Sequence, residues 1–124
     1  MNITWIDWVI VAASILICFV PALFYAKQPR TIAAVTGTNG KTSVVNFTCQ
    51  IWQALGLKAA SFGTLGVISA NTSRPLKHTT PDPVWLHSEL ALLAKSGISH
   101  LAIEASSHGL DQCRLDGVQM MAGA

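Results

Sequence analysis

Seven residues carry the clearest chemistry in this chain: Gly37, Thr38, Asn39, Gly40, Lys41, Thr42 and Ser43. Glycines at the first and fourth positions let bare backbone approach phosphate oxygens, and successive N–H groups can point at the anion. Lys41 adds an ammonium, and a helix starting just after it presents its positive end to the same place. The hydroxyl of Thr42 is placed to hold Mg²⁺. The strict phosphate-loop form, G-x-x-x-x-G-K-[ST], would have glycine at position 35, where this chain has Val35. The spacing therefore predicts a shortened loop that takes the phosphates of ATP.

Such a loop needs a strand before it and a helix after it. Thr31 to Thr36 is a short, apolar, β-branched run ending at Gly37, which reads as a buried strand. From Thr42 to Leu55 the apolar residues Val44, Ile51, Trp52 and Leu55 recur at helical spacing, and Gly56 supplies a stop. Lys58 to Val67 is strand-like and is broken by Gly63 and Gly66, with a polar loop from Ser69 to Thr80. Asp82 and Pro83 start a helix whose inner stripe is Leu86, Leu90 and Leu93 and which Gly97 closes. Ile98 to Ala105 is another apolar strand, followed by the polar cluster Glu104 to Gln112. Strand and helix alternate, so the expected fold class is α/β: a parallel sheet with right-handed crossovers and ligands outside the carboxyl ends of its strands. Both polar clusters fall at such ends.

Composition excludes more than it selects. Charged residues are 11% of the 124, and the net charge of +2 has no basic stripe, so no nucleic-acid partner is expected. Cys18, Cys49 and Cys113 are scattered, with neither zinc spacing nor a disulfide framework. Trp8 to Ala26 runs without a charged side chain, which predicts an apolar helix over residues 1–26. Its length permits a membrane span, and Lys27 and Arg30 after it would leave the rest of the chain in the cytoplasm, tethered to the inner face of the membrane. Pro21, and a strand starting as early as Thr31, speak instead for a buried helix left from a preceding domain.

Three ordered segments, Thr36-Gly-Thr-Asn-Gly-Lys-Thr42, Thr79-Thr-Pro-Asp82 and Glu104-Ala-Ser-Ser-His-Gly-Leu-Asp-Gln-Cys-Arg114, resemble the Mur ligases in order and spacing. The similarity runs from about Phe24 to Ala124, and three motifs in order are far more specific than one loop. The resemblance implies a peptidoglycan-precursor ligase. In it, ATP phosphorylates a substrate carboxylate and the amine of an incoming amino acid attacks the acyl phosphate to form an amide. It implies that residues 37–43 bind ATP, with Lys41 on the phosphates, and that Thr42 and Glu104 hold Mg²⁺; Lys41 and Glu104 are the catalytic candidates. Thr79, Thr80, Ser106, Gln112 and Arg114 would contact a UDP-muramoyl dipeptide. Within the family, the second and third segments favour the members that add the third peptide residue, diaminopimelate or lysine. Other Mur ligases and folylpolyglutamate synthase share the loop chemistry. The family has three domains, of which residues 27–124 match the front of the central, ATP-binding one. A complete catalytic cycle is not expected of that stretch alone. The alternative from a different class is a membrane-anchored nucleotide-binding module that does not ligate. Blander roles exist for single residues: Glu104 as a cap of the next turn, Arg114 as a solvated charge, His108 as a packed or hydrogen-bonding histidine.

Overall fold

The computed structural model describes residues 4–25, 27–76 and 81–124, with side chains of the first helix described as far as Val20. Helix α1 (Trp5–Tyr25) leads to β1 (Thr31–Val35), and the chain continues through α2 (Lys41–Ala54), β2 (Ala59–Gly63), β3 (Gly66–Ser69), β4 (Ser73–Arg74) and α3 (Pro83–Lys95). It ends with β5 (His100–Glu104), the short α4 (Ser107–Asp111) and β6 (Ala122–Gly123). The six strands form one sheet in the order β4-β3-β2-β5-β1-β6.

The expected α/β alternation and central parallel sheet are present: β2, β5, β1 and β6 run parallel. The sheet is not parallel throughout, however. Beyond β2 the chain turns back through Thr64 and Leu65, and β3 and β4 pair antiparallel. Gly66 makes the reversal, because its φ of 105° is one that L side chains rarely adopt, and a Cβ there would lie 2.1 Å from the Arg74 carbonyl oxygen. Part of the segment expected as a polar loop after Ser69 is thus an edge strand.

Alternating side chains send the two faces of the sheet to different helices. Ile32, Ala34, Ala60, Phe62, Leu101 and Ile103 pack with Leu86, Leu90 and Leu93 of α3, the predicted inner stripe. On the opposite face Val35 and Ala102 meet Val45 and Trp52 of α2. The face that α2 buries differs from the one its spacing suggested. Val45 and Cys49 are buried, whereas Val44, Ile51 and Leu55 are exposed with Phe47 along the outer side. Helix α3 begins as expected, with Asp82 accepting from the Trp85 N–H at 3.1 Å and Pro83 in its first turn.

Helix α1 spans Trp5–Tyr25 of the N-terminal run, and every described side chain from Thr4 to Val20 is exposed. Among the described residues no helix is long and apolar enough to cross a membrane. Helix α1 lies against α3, with Asp7 accepting at its first turn from the Thr4 N–H and hydroxyl; these bonds hold the Asp7 carboxyl below the usual range.

Candidate functional site

The shortened loop lies between β1 and α2, as its sequence requires. Gly37 and Gly40 have φ of 126° and 80°, and nothing lies within 4 Å of where a Cβ would stand on either. The glycines are therefore set by backbone conformation, and the space above them is open. Gly40 is the N-cap of α2 with no side-chain oxygen bonded to the helix end, so the first-turn N–H groups and the positive end of the 14-residue helix face that space. Lys41 folds back over the loop, its Nζ donating to the Gly37 carbonyl at 2.7 Å. Thr38, Asn39 and Ser43 are exposed, and Thr42 is half-buried. Open backbone N–H groups at a helix start, with a lysine resting on a neutral oxygen, are an arrangement that could receive an anion.

Glu104 ends β5, the strand between β2 and β1, in register with Val35. By alternation it points to the face covered by α2, the helix whose N-terminus is the phosphate loop. It is 2% exposed. Its carboxylate is held by the turn after β2: the Thr64 N–H donates to Oε1 at 3.0 Å and the Thr64 hydroxyl to Oε2 at 3.1 Å. The carboxylate fills the space beside Gly63, where a Cβ would stand 2.2 Å from Oε1. Glu104 does not cap the following turn, since the N-cap of α4 is Ser106. From the sequence Gly63 reads only as a strand break and Thr64 is not singled out; the signal is a glycine closing a strand, which marks close approach by another group.

Of the residues expected on the muramoyl-peptide side, Ser106 accepts from the Gly109 N–H at 3.0 Å as the cap of α4. Arg114 donates through Nε to Gln112 Oε1 at 2.8 Å, so these two candidates meet. They do so because Cys113 between them adopts φ 54°, a left-handed conformation that bends the chain. Thr79 and Thr80 lie outside the described residues. His108 is exposed, not packed. Cys18 and Cys113 are exposed free thiols, and burial pushes the Cys49 thiol up.

Glu104 and Thr42 offer only hard oxygen donors, a set suited to Mg²⁺, which typically takes one or two protein ligands and completes its shell with phosphates and water. Among the described residues no group of three or more His, Cys, Asp and Glu could hold a metal by itself. A cavity of about 310 Å³ lined by Gln53, Lys58, Ser69, Asn71 and Ser96 lies at the opposite, amino ends of β2 and β5 and takes no part in this cluster.

A shortened glycine-lysine loop opening a helix, with a buried carboxylate on the neighbouring strand end, defines an α/β domain of the phosphate-loop class. The Mur ligase middle domain matches residues 35–124, and the chain belongs to that family. The resemblance carried by the three sequence motifs is thus borne out. The chain is 60% identical over 103 residues to the UDP-N-acetylmuramoyl-L-alanyl-D-glutamate–2,6-diaminopimelate ligase of Brucella melitensis biotype 1, covering 83% of this chain and 21% of that protein. It is 57% identical over 102 residues to the enzyme of the same name from Bradyrhizobium diazoefficiens, covering 82% and 21%. A solved structure of such a ligase superposes with a TM-score of 0.71 at 37% identity, over 78% of this chain and 20% of that one. The chain therefore spans about a fifth of the length of the relatives it matches.

Proposed function

We propose that residues 27–124 form the ATP-phosphate and magnesium part of a ligase that joins diaminopimelate to UDP-N-acetylmuramoyl-L-alanyl-D-glutamate. The observation that supports this reading is that the buried Glu104 ends β5 in register with Val35, two residues before the phosphate loop begins, on the sheet face that α2 covers. The names of the relatives support the choice of substrates.

In this reaction the γ-phosphoryl group of ATP passes to the substrate carboxylate, giving an acyl phosphate and ADP. The amine then attacks the acyl carbon, losing a proton, and phosphate leaves as the amide forms. Bringing a carboxylate to a triphosphate sets anions together, so positioning and charge do most of the work. Lys41 would leave the Gly37 carbonyl for the phosphates, while the N–H groups of residues 40–43 would hold oxygens in place. Thr42 and Glu104 would bind Mg²⁺, which supplies positive charge where phosphate oxygens gather. Ser106, Gln112 and Arg114, with Thr79 and Thr80, would orient the muramoyl peptide, the Arg114 guanidinium suiting a carboxylate or phosphate.

Calorimetric titration of the 124-residue chain with ATP tests the reading. Binding that strengthens with Mg²⁺ is expected; a chain that takes no ATP at any Mg²⁺ concentration would remove it.

The exposed apolar side chains of α1 between Trp5 and Val20 support a second reading, in which residues 8–26 tether the domain to the inner face of a membrane in the cytoplasm. On expression the chain would then stay with membranes through alkaline carbonate and leave only with detergent. Release by alkali would count against the tether.

A further inference from the structure

The segment from Gln112 to Gln119 has little regular structure to hold it. Between the short α4 and the two-residue β6 it runs as successive turns, closed by the Asp116 N–H on the Cys113 carbonyl at 3.2 Å and the Val118 N–H on the Leu115 carbonyl at 3.1 Å. Leu115 is its one fully buried side chain. Two side chains from elsewhere in the chain grip it. The Gln28 amide donates through Nε2 to the Gly117 carbonyl at 2.8 Å and accepts from the Gln119 N–H at 2.9 Å. Donating to one residue and accepting from the second one after it is the pattern of a parallel ladder. Here it prolongs the ladder of β1 and β6, in which Ala33 pairs with Ala122 and the Met121 N–H meets the Ile32 carbonyl. Pro29 lacks the N–H that would carry that ladder back toward α1, and the Gln28 side chain supplies the bonds instead. His87 of α3 is the second grip, with Nε2 2.9 Å from the Asp116 carbonyl oxygen; a carbonyl only accepts, so Nε2 carries a proton. Gly117 makes this approach possible: its φ is 81°, and a Cβ there would stand 3.2 Å from Cε1 and Nε2 of His87.

From these contacts we infer that Gln28 and His87 are positioning residues for the muramoyl-peptide side of the site: they clamp residues 116–119 and so hold Gln112 and Arg114 in their bonded arrangement. The inference rests on the reading of Gln112 and Arg114 as substrate contacts and extends it to the two side chains that hold their segment. Clamp and pair are joined by the turn bonds from Asp116 to Cys113 and from Val118 to Leu115. Between the pair stands Cys113, whose φ of 54° is a left-handed conformation that a non-glycine residue keeps only when its surroundings impose it. A segment released at 116–119 would relax that residue and part the two side chains on either side of it. Gln28 belongs to the linker between α1 and β1, so the clamp also joins that linker to this segment.

The test uses the whole ¹⁵N-labelled chain, with hydrogen exchange followed by ¹H–¹⁵N resonances, and titration with UDP-N-acetylmuramoyl-L-alanyl-D-glutamate. Gln28→Ala and His87→Ala each remove one grip. Both are expected to speed exchange of the Arg114 Nε–H, which the wild type bonds to Gln112 Oε1, while the Leu101 and Ile103 amides of β5 keep their protection. His87→Gln, which can bring an N–H to about the same point, should restore the slow Arg114 signal. Affinity for the muramoyl dipeptide should fall about 2- to 30-fold in each alanine variant, with ATP affinity unchanged. An Arg114 Nε–H as protected in both variants as in the wild type, or wild-type dipeptide affinity in both, overturns the inference. So does a loss of protection that reaches Leu101 and Ile103, which would make the two residues supports of the whole fold. If the wild-type chain takes none of the dipeptide, the reading of Gln112 and Arg114 as substrate contacts fails, and the Arg114 signal alone decides whether the clamp exists.

Discussion

Replacing Lys41 with alanine is expected to weaken ATP binding by about 10- to 100-fold while barely changing thermal stability. Among the described residues the lysine's Nζ donates to the Gly37 carbonyl at 2.7 Å, a bond made in solvent. Losing an exposed bond between neighbours on one loop costs the fold about 0.5–1 kcal/mol at most. On the ligand side the same ammonium would meet a triphosphate, and a hydrogen bond to a charged partner contributes about 1.5–3 kcal/mol. That energy corresponds to roughly one to two decades in the dissociation constant. The backbone N–H groups at the start of α2 survive the change, so binding should weaken and not vanish. Lys41→Arg should not restore it fully, because a planar guanidinium is a poor substitute for a compact ammonium in a tight loop. Titration with ATP beside a circular-dichroism melt checks both halves. Unchanged affinity would take Lys41 out of the site, and a large fall in melting temperature would show that it supports the fold instead.

The sequence was most informative where one physical requirement left one solution. The phosphate loop could sit only between a strand and a helix, and the stripe Leu86, Leu90, Leu93 had no rival on its helix. The second helix offered two apolar stripes. Val44, Phe47, Ile51 and Leu55 recur at helical spacing as well as Val45, Cys49 and Trp52 do, and periodicity alone does not say which one meets the sheet. The structure turns the second inward. Two glycines three residues apart after Phe62 suggested a broken strand, but not whether the break was a bulge, a loop or the reversal that sends β3 back antiparallel. Thr64 escaped notice for a related reason. Its role depends on Glu104, 40 positions away in the chain, and on a parallel pairing that no local pattern announces. Glu104 itself was legible, as a lone carboxylate closing an apolar strand level with the loop.

The largest stability effect is expected at an ion pair that ties the hairpin edge to α3. Arg74 Nη2 lies 2.7 Å from Glu89 Oε2, a contact close in distance but outside hydrogen-bond angles, and Nη1 donates to Oε1 at 3.2 Å. The partners are unequally placed: the Glu89 side chain is 8% exposed and that of Arg74 41%. Arg74→Met would leave a carboxylate buried without its counter-charge, which in a fully buried pair costs about 3–5 kcal/mol. Because water already reaches Arg74, about 2–3 kcal/mol is the better expectation here, or roughly 8–12 °C in melting temperature. Glu89→Met should be milder. It removes the buried charge and leaves an arginine that can turn its head to solvent while its stem still covers apolar surface. The double variant should recover most of the loss, since two well-packed apolar side chains often match or exceed a buried pair. Melts of the three variants decide it. Equal losses for the two single variants, or a double variant as unstable as their sum, would mean that the pair acts through packing alone and that the Glu89 carboxylate needs no counter-charge.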